Sequence, residues 1–325
     1  MAIDLHAPDL PGRLAQAGIG LLLHTAGPFQ QQDYGVAAAA AAAGAHYIDL
    51  ADGRRFVADF EASMDAGCRQ AGTVAISGAS SVPALSSAVV DALARGWTRI
   101  DSIDTCIAPA QTAPRGRATL AAVLAYCGMP VRFWSGGRWQ SGPGWGTPEE
   151  VTFARLRPRL GALCDVPDLE LFPARYGVTD RVTFKAALEV AFTQRVFAWL
   201  ASARARGLIA SPEKLAGAMV MAAPALDFLG SGLGGMVVRV AGCDGEGAPR
   251  RRAWHLTAAN DTGPEIPCMA TLLLARRLVS GEALPAGARA CTGLLKLEEF
   301  QTEFARWGMS TDTVEESPTH GTSAA

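Results

Sequence analysis

Ile19-Gly20-Leu21-Leu22-Leu23-His24-Thr25-Ala26-Gly27-Pro28-Phe29, followed after a run of seven alanines by His46-Tyr47-Ile48-Asp49-Leu50-Ala51-Asp52, decides how this chain is read. A continuous apolar run of this kind suits a parallel strand covered on both faces. Gly27-Pro28 marks a rigid turn, the alanine run 37–43 a helix that can lie close to a sheet, and Gly44 its C-terminal stop. Residues 47–50 then read as a second strand. Working outward, 54–71 reads as a helix, 73–76 as a strand and 82–94 as another helix. Residues 2–5 read as the tail of a strand and 9–17 as a short helix with Asp9 as N-cap. Repeated strand–helix units predict a parallel sheet with helices on both faces. Ligands of such sheets bind beyond the carboxyl ends of the strands. Three loops qualify, at 25–29, 51–54 and 77–83.

From Thr98 the period changes. Residues 99–108 read as a strand and 117–127 as a helix, while 131–134 and 138–140 flank Ser135-Gly136-Gly137, a hairpin signal. Residues 182–187, 236–241 and 251–258 read as further strands, the last two joined across a turn. Arg250-Arg251-Arg252 is read as a solvated turn. A helical insertion over 192–229 combines Val196, Phe197 and Leu200 with Arg195, Arg204 and Arg206. It reads as a subdomain packed on a partner or covering a site, with peripheral membrane contact as a further reading. Residues 266–281 read as a last helix with Pro267 in its first turn.

Composition bounds the function. The chain has 325 residues, enough for two domains, and 49% hydrophobic against 18% charged residues lets it bury a core. A net charge of −2 without a clustered basic face argues against a nucleic-acid partner. Seven cysteines are spread singly, which reads as reduced thiols in a cytoplasmic protein and not as a metal site. The first residues lack a signal-peptide pattern. The uncharged run 70–90 is long enough to span a bilayer, but its five serines, two glycines and proline exclude a membrane helix.

Each candidate segment has two readings. A flat ligand fits against the backbone of Gly27-Pro28, or Phe29 plugs the core and the loop is a tight connection. Asp49 pairs within the sheet or points to the cleft, and Asp52 lies in the cleft or caps the helix that follows. Ser80 caps a helix, or the Ser80–Pro83 backbone offers N–H groups to an anion or carbonyl oxygen. The spacing around Ser77–Pro83 is not that of a nucleophile elbow.

His24 to Gln30, Tyr47-Ile48-Asp49-Leu50-Ala51-Asp52-Gly53-Arg54 and Ser77-Gly78-Ala79-Ser80-Ser81-Val82-Pro83-Ala84-Leu85 together resemble the saccharopine dehydrogenase-like family of NAD(P)-dependent oxidoreductases. Pro114-Arg115-Gly116-Arg117-Ala118-Thr119, Cys164-Asp165-Val166-Pro167-Asp168-Leu169, Gly234-Gly235-Met236-Val237-Val238 and Gly263-Pro264-Glu265-Ile266-Pro267 resemble one bacterial branch of it, so the likeness runs over about residues 2–300. The resemblance implies a Rossmann domain, an α+β domain that shapes a substrate cleft and contributes to a homodimer, and a C-terminal helix returning to the first domain. It implies NADP or NAD as cofactor and hydride transfer between imines and secondary amines. It would set Thr25, Ala26, Gly27, Pro28 and Phe29 along the ribose and nicotinamide, with Asp52 nearby, and Ser80, Ser81, Val82 and Pro83 beside nicotinamide and substrate. Catalytic residues and substrate stay unassigned. Family members open with a Gly-rich phosphate loop in two further βα units, about 60 residues. Their absence here is read as an N-terminal truncation that would leave dinucleotide binding weak or lost.

The resulting expectation is an α/β chain: a partial Rossmann-like parallel sheet (1–97, first βαβα portion missing) and an α+β domain with a mostly antiparallel sheet (98–262, insertion 192–229). The returning C-terminal helix occupies 263–309 and a disordered tail 310–325. The function expected is that of a saccharopine dehydrogenase-like oxidoreductase, inactive if the phosphate grip is truly lost. The alternative is a non-catalytic dimerising or binding module of the same descent.

Overall fold

The computed structural model describes residues 3–114 and 116–317. Along the chain come α1 (Leu10–Gln16), β1 (Leu21–His24), α2 (Gly35–Ala42), β2 (His46–Asp49), α3 (Arg54–Ala58), α4 (Phe60–Ala71), β3 (Val74–Ser77) and α5 (Ser86–Leu93). Next are β4 (Arg99–Ala108), α6 (Arg117–Ala125), β5 (Pro130–Ser135), β6 (Arg138–Pro143), β7 (Glu149–Val151), β8 (Arg159–Leu163), α7 (Asp168–Tyr176) and β9 (Arg181–Ala187). The insertion contributes α8 (Ala191–Ala205) and α9 (Ala216–Ala222). The remainder is β10 (Gly234–Cys243), β11 (Pro249–Ala258), α10 (Ile266–Val279), β12 (Gly287–Ala290), α11 (Leu297–Arg306) and β13 (Ser310–Glu315).

Two sheets result. The smaller is parallel, ordered β1-β2-β3-β12, with β1 at one edge. The larger runs β13-β11-β10-β4-β9-β5-β6, with β8 also on β9 and β7 on β8. Within it β4 and β9 pair in parallel and the other pairs are antiparallel. An α/β parallel unit joined to an α+β unit is therefore the architecture. The period-2 rule explains the faces: on β2, Tyr47 packs toward α2 and α4, whereas Ile48 points to α5. Ile48 and Ile76 of the small sheet join Ile103, Val182 and Val238 of the large one in a single buried cluster around α5. The two sheets share this core, and so their relative placement is fixed by packing.

Several elements differ from their sequence reading. Residues 3–5 form no strand; Asp4 instead starts a turn, its carboxylate accepting from the His6 N–H at 2.9 Å. The 54–71 helix breaks at Asp59 into α3 and α4. The expected tail is ordered over 310–315, because β13 pairs with β11 and Asp312 is clasped by Arg155 at 2.7 Å. Residues 318–325 lie outside the described residues. Arg250, Arg251 and Arg252 are strand residues of β11 whose guanidinium groups meet Glu315 and Glu316 of the β13 end. The 135–137 hairpin turn is present, with Gly136 and Gly137 both at positive φ.

Candidate functional site

Three successive parallel strands each end on a polar residue: β1 on His24, β2 on Asp49 and β3 on Ser77. His24 and Asp49 are partners in the β1–β2 register, which lines these residues up at the carboxyl edge. All three are buried. Asp49 Oδ1 collects three donors, the Gly78 N–H at 2.7 Å, the Ala51 N–H at 2.9 Å and the Ser77 hydroxyl at 3.0 Å. Burial nonetheless dominates and pushes its pKa up to about 6, with the three donors pulling the other way. His24 Nδ1 and the Tyr47 hydroxyl are hydrogen-bonded at 2.8 Å. Burial lowers the imidazole's pKa and raises the phenol's, so both are neutral near pH 7. His24 Nε2 has no partner among the described residues, in a place where an unpaired polar atom is costly. A neutral histidine, a phenol and a carboxyl poised near pH 6 thus meet behind the strand-end loops.

The loop after β1 leaves Thr25, Ala26, Gly27 and Pro28 exposed and turns Phe29 inward. Phe29 packs edge-on to His24 and against Phe56, so it is a core plug. Gln32 straps the loop, its amide donating to the carbonyls of Ala26 at 2.6 Å and Pro28 at 3.0 Å. The Gln30 amide donates to Asp52 Oδ1 at 3.1 Å, joining the first loop to the second. The two loops touch so closely that a Cβ on Gly53 would meet the Gln30 nitrogen at 3.3 Å. Asp52 does not cap α3; Gly53 precedes that helix and no side chain caps it. Its side chain is exposed to water, yet surrounding protein raises its pKa through desolvation. Burial holds the phenol of Tyr126, just after α6, well above its usual pKa.

The third loop is closed over. Ser80, Ser81, Val82 and Pro83 are all buried, and Ser80 makes no capping hydrogen bond. Thr271 of α10 donates to the Ala79 carbonyl at 2.7 Å and holds the lid of this loop. Gly78 has φ of +77°, and a Cβ there would lie 2.8 Å from Pro83 Cδ. Both the Gly27–Pro28 and Val82–Pro83 bonds are cis. Of the ten positions expected to line a cofactor, Thr25 to Pro28 and Asp52 are exposed, whereas Phe29 and Ser80 to Pro83 are buried. The residues that sequence reading passed over are His24, Tyr47, Ser77 and Gln30. A polar residue closing each of three apolar strands was the signal for His24 and Ser77.

Arg54 ties the site to the second domain. Its guanidinium donates to Glu170 at 2.6 Å, to Asp165 at 3.0 Å and to the Arg132 carbonyl at 2.6 Å. Trp139 stacks over it at 5.7 Å. Another cavity, of about 660 Å³, lies on the helix-free face of the large sheet between β4, β9 and β10. Its charges satisfy one another, Arg181 with Asp104 at 2.7 Å, Lys185 with Glu149 and Arg239 with Glu316. The strand-end edge, where a buried histidine nitrogen is left unpaired, is the better candidate. No group of metal-ligating side chains occurs among the described residues.

A nicotinamide ribose suits this edge in part: an exposed, side-chain-poor loop backbone for a ring, and Asp52 with Gln30 for sugar hydroxyls. A pyrophosphate suits it poorly. The N-terminus of α2, the helix after β1, already has the Asp33 carboxylate on the Gly35 N–H at 2.9 Å.

Saccharopine dehydrogenase (L-Glu forming) from Saccharomyces cerevisiae, in its apo form, has a similar structure. The TM-score is 0.65, over 98% of this chain and 89% of that chain, at 11% identity. At that identity the likeness is one of fold. No protein-family model and no curated protein sequence matches the chain.

Proposed function

We propose that the chain is built as a saccharopine dehydrogenase-like NAD(P)-dependent oxidoreductase, with hydride transfer on an imine or secondary amine as its chemistry. The observation that carries this is the carboxyl edge of β1–β3, where the exposed residues Thr25 to Pro28 follow directly on the buried His24–Tyr47 pair and Asp49. In parallel α/β sheets this edge is where ligands bind. The cofactor would supply the hydride; the chain's part is to seat the ring on Thr25 to Pro28 and to hold sugar hydroxyls with Asp52 and Gln30. Asp33 opposes a phosphate at α2, so the grip is expected to come from the nicotinamide half.

Titration of the full chain with NADPH and NADH by fluorescence tests this reading. Without charge-assisted phosphate contacts, dissociation constants of about 0.1–1 mM are expected. Nicotinamide mononucleotide should compete, ADP should not, and Asp52→Ala should abolish binding. A flat titration into the millimolar range, or competition by ADP alone, overturns the proposal; the flat result leaves the non-catalytic binding module.

A further inference from the structure

Exposed large apolar side chains concentrate, among the described residues, on the helical insertion. Among the described residues, fourteen large apolar side chains are exposed, and eight of them lie between 192 and 233. Phe192 and Trp199 are 64% and 63% exposed on α8; Met221 and Phe228, beyond it, are 80% and 81% exposed. The inner side of α8 is already committed, burying Phe197, Leu200, Ala201 and Ala203. The outer residues Phe192, Arg195, Trp199 and Arg206 recur at helical spacing, three, seven and fourteen positions on from the first, and form one stripe. Scattered exposed apolar residues need no explanation, but a concentration of this kind marks an interaction surface.

Charge selects the occupant. Between 190 and 229 the chain has Arg195, Arg204, Arg206 and Lys214 against Glu213 and Asp227, four cations to two acids, whereas the whole chain is slightly acidic at −2. Arg204 is engaged inward, donating to the Ala125 carbonyl at 2.7 Å. Arg195 and Arg206 make no ion pair among the described residues and flank the aromatic side chains. A second copy fits less well, because a two-fold interface sets this net-positive patch against itself. Arginines interleaved with Phe, Trp and Met instead match the interface of an anionic bilayer, where rings enter the headgroup region and guanidinium groups meet phosphates.

We propose that the outer face of α8, with the exposed apolar residues that follow it, docks this protein peripherally on anionic membranes. No helix among the described residues is long and apolar enough to cross a bilayer, so contact is at the surface. The arrangement needs no covalent lipid. It brings the 192–229 arm to the bilayer and leaves the strand-end edge of β1–β3 on other elements.

Co-sedimentation of the full chain with two kinds of vesicle tests the proposal: phosphatidylcholine alone, and phosphatidylcholine with phosphatidylglycerol. Binding is expected only to the second, and added salt should release it. Arg195→Glu with Arg206→Glu should lower the partition by about tenfold or more, at roughly a kcal/mol per cation. Phe192→Ser with Trp199→Ser should also weaken it. Both double variants replace exposed side chains and should melt as the wild type does. No binding to either vesicle, or equal binding to both, overturns the proposal without reference to any variant. So does a wild-type dimer in light scattering that Phe192→Ser with Trp199→Ser converts to monomer, since a second copy would then own the face.

Discussion

Asp168 opens α7 and faces α5 across the junction of the two halves of the molecule. It is 1% exposed, and neither carboxylate oxygen has a hydrogen-bond partner among the described residues. Burial pushes its pKa from 3.8 up to about 7; the nearby Ser86 hydroxyl pulls it down, without meeting it in hydrogen-bonding geometry. Below about pH 4 the carboxyl is protonated in both folded and unfolded chains and costs nothing. Between about pH 4 and 7 the folded chain keeps a proton that the unfolded chain has lost, so stability falls as pH rises. Above pH 7 the full cost is present, about 4 kcal/mol for three pH units. Between pH 5 and 8 the loss from this group should be about 2–3 kcal/mol. Asp168→Asn removes the titration and retains the shape. Urea unfolding of both proteins at several pH values should show the wild type losing ground to the variant by that amount as pH rises. Asp49, whose shift has the same sign, remains in both and cancels in the comparison. Parallel pH profiles would refute the assignment of a buried, unpaired carboxyl.

Two other substitutions probe the site's scaffold. Gly78→Ala places a methyl 2.8 Å from Pro83 Cδ and 3.0 Å from Val57 at a φ of +77°, whereas Gly72→Ala at +68° meets nothing within 4 Å. Gly72→Ala should cost about 1–2 kcal/mol and Gly78→Ala about 1–3 kcal/mol more by denaturation, and equal losses would mean the loop can yield. Arg54→Ala leaves Asp165 without its cation and Glu170 with Arg55 alone at 3.5 Å, and should destabilise by about 1–3 kcal/mol. Limited proteolysis should then cut between the two sheets; an unchanged digestion pattern and melting curve would show that the shared core alone holds them.

The alternation of strands and helices from 21 to 93 was legible because a parallel strand buried on both faces is a plain apolar run, and Gly44 and Gly72 end the helices with positive φ. β12 was not legible. Its Gly-Ala-Arg-Ala sequence has little strand preference, and it is extended because β3 offers an unpaired edge. β13 looked like tail because an edge strand facing water needs no apolar alternation. At the site, the loops were placed correctly at strand ends, but which loop faces water depended on α10 arriving from residue 266 onward. The Arg54 cluster reaches partners more than seventy residues away, a separation at which no local pattern speaks.

The pairing of β12 with β3 has a temporal consequence. The ribosome releases β3 about two hundred residues before β12, and at 5–20 residues per second the exposed edge of β3 waits roughly 10–40 seconds for its neighbour. During that time the parallel sheet is one strand short, and the Ser80–Pro83 segment lacks the α10 cover that buries it. The strand-end edge therefore acquires its final backing only late in synthesis. Whatever engages nascent β3 in the interval, a chaperone or another unfinished chain, competes with residue 287 for the same row of backbone hydrogen bonds.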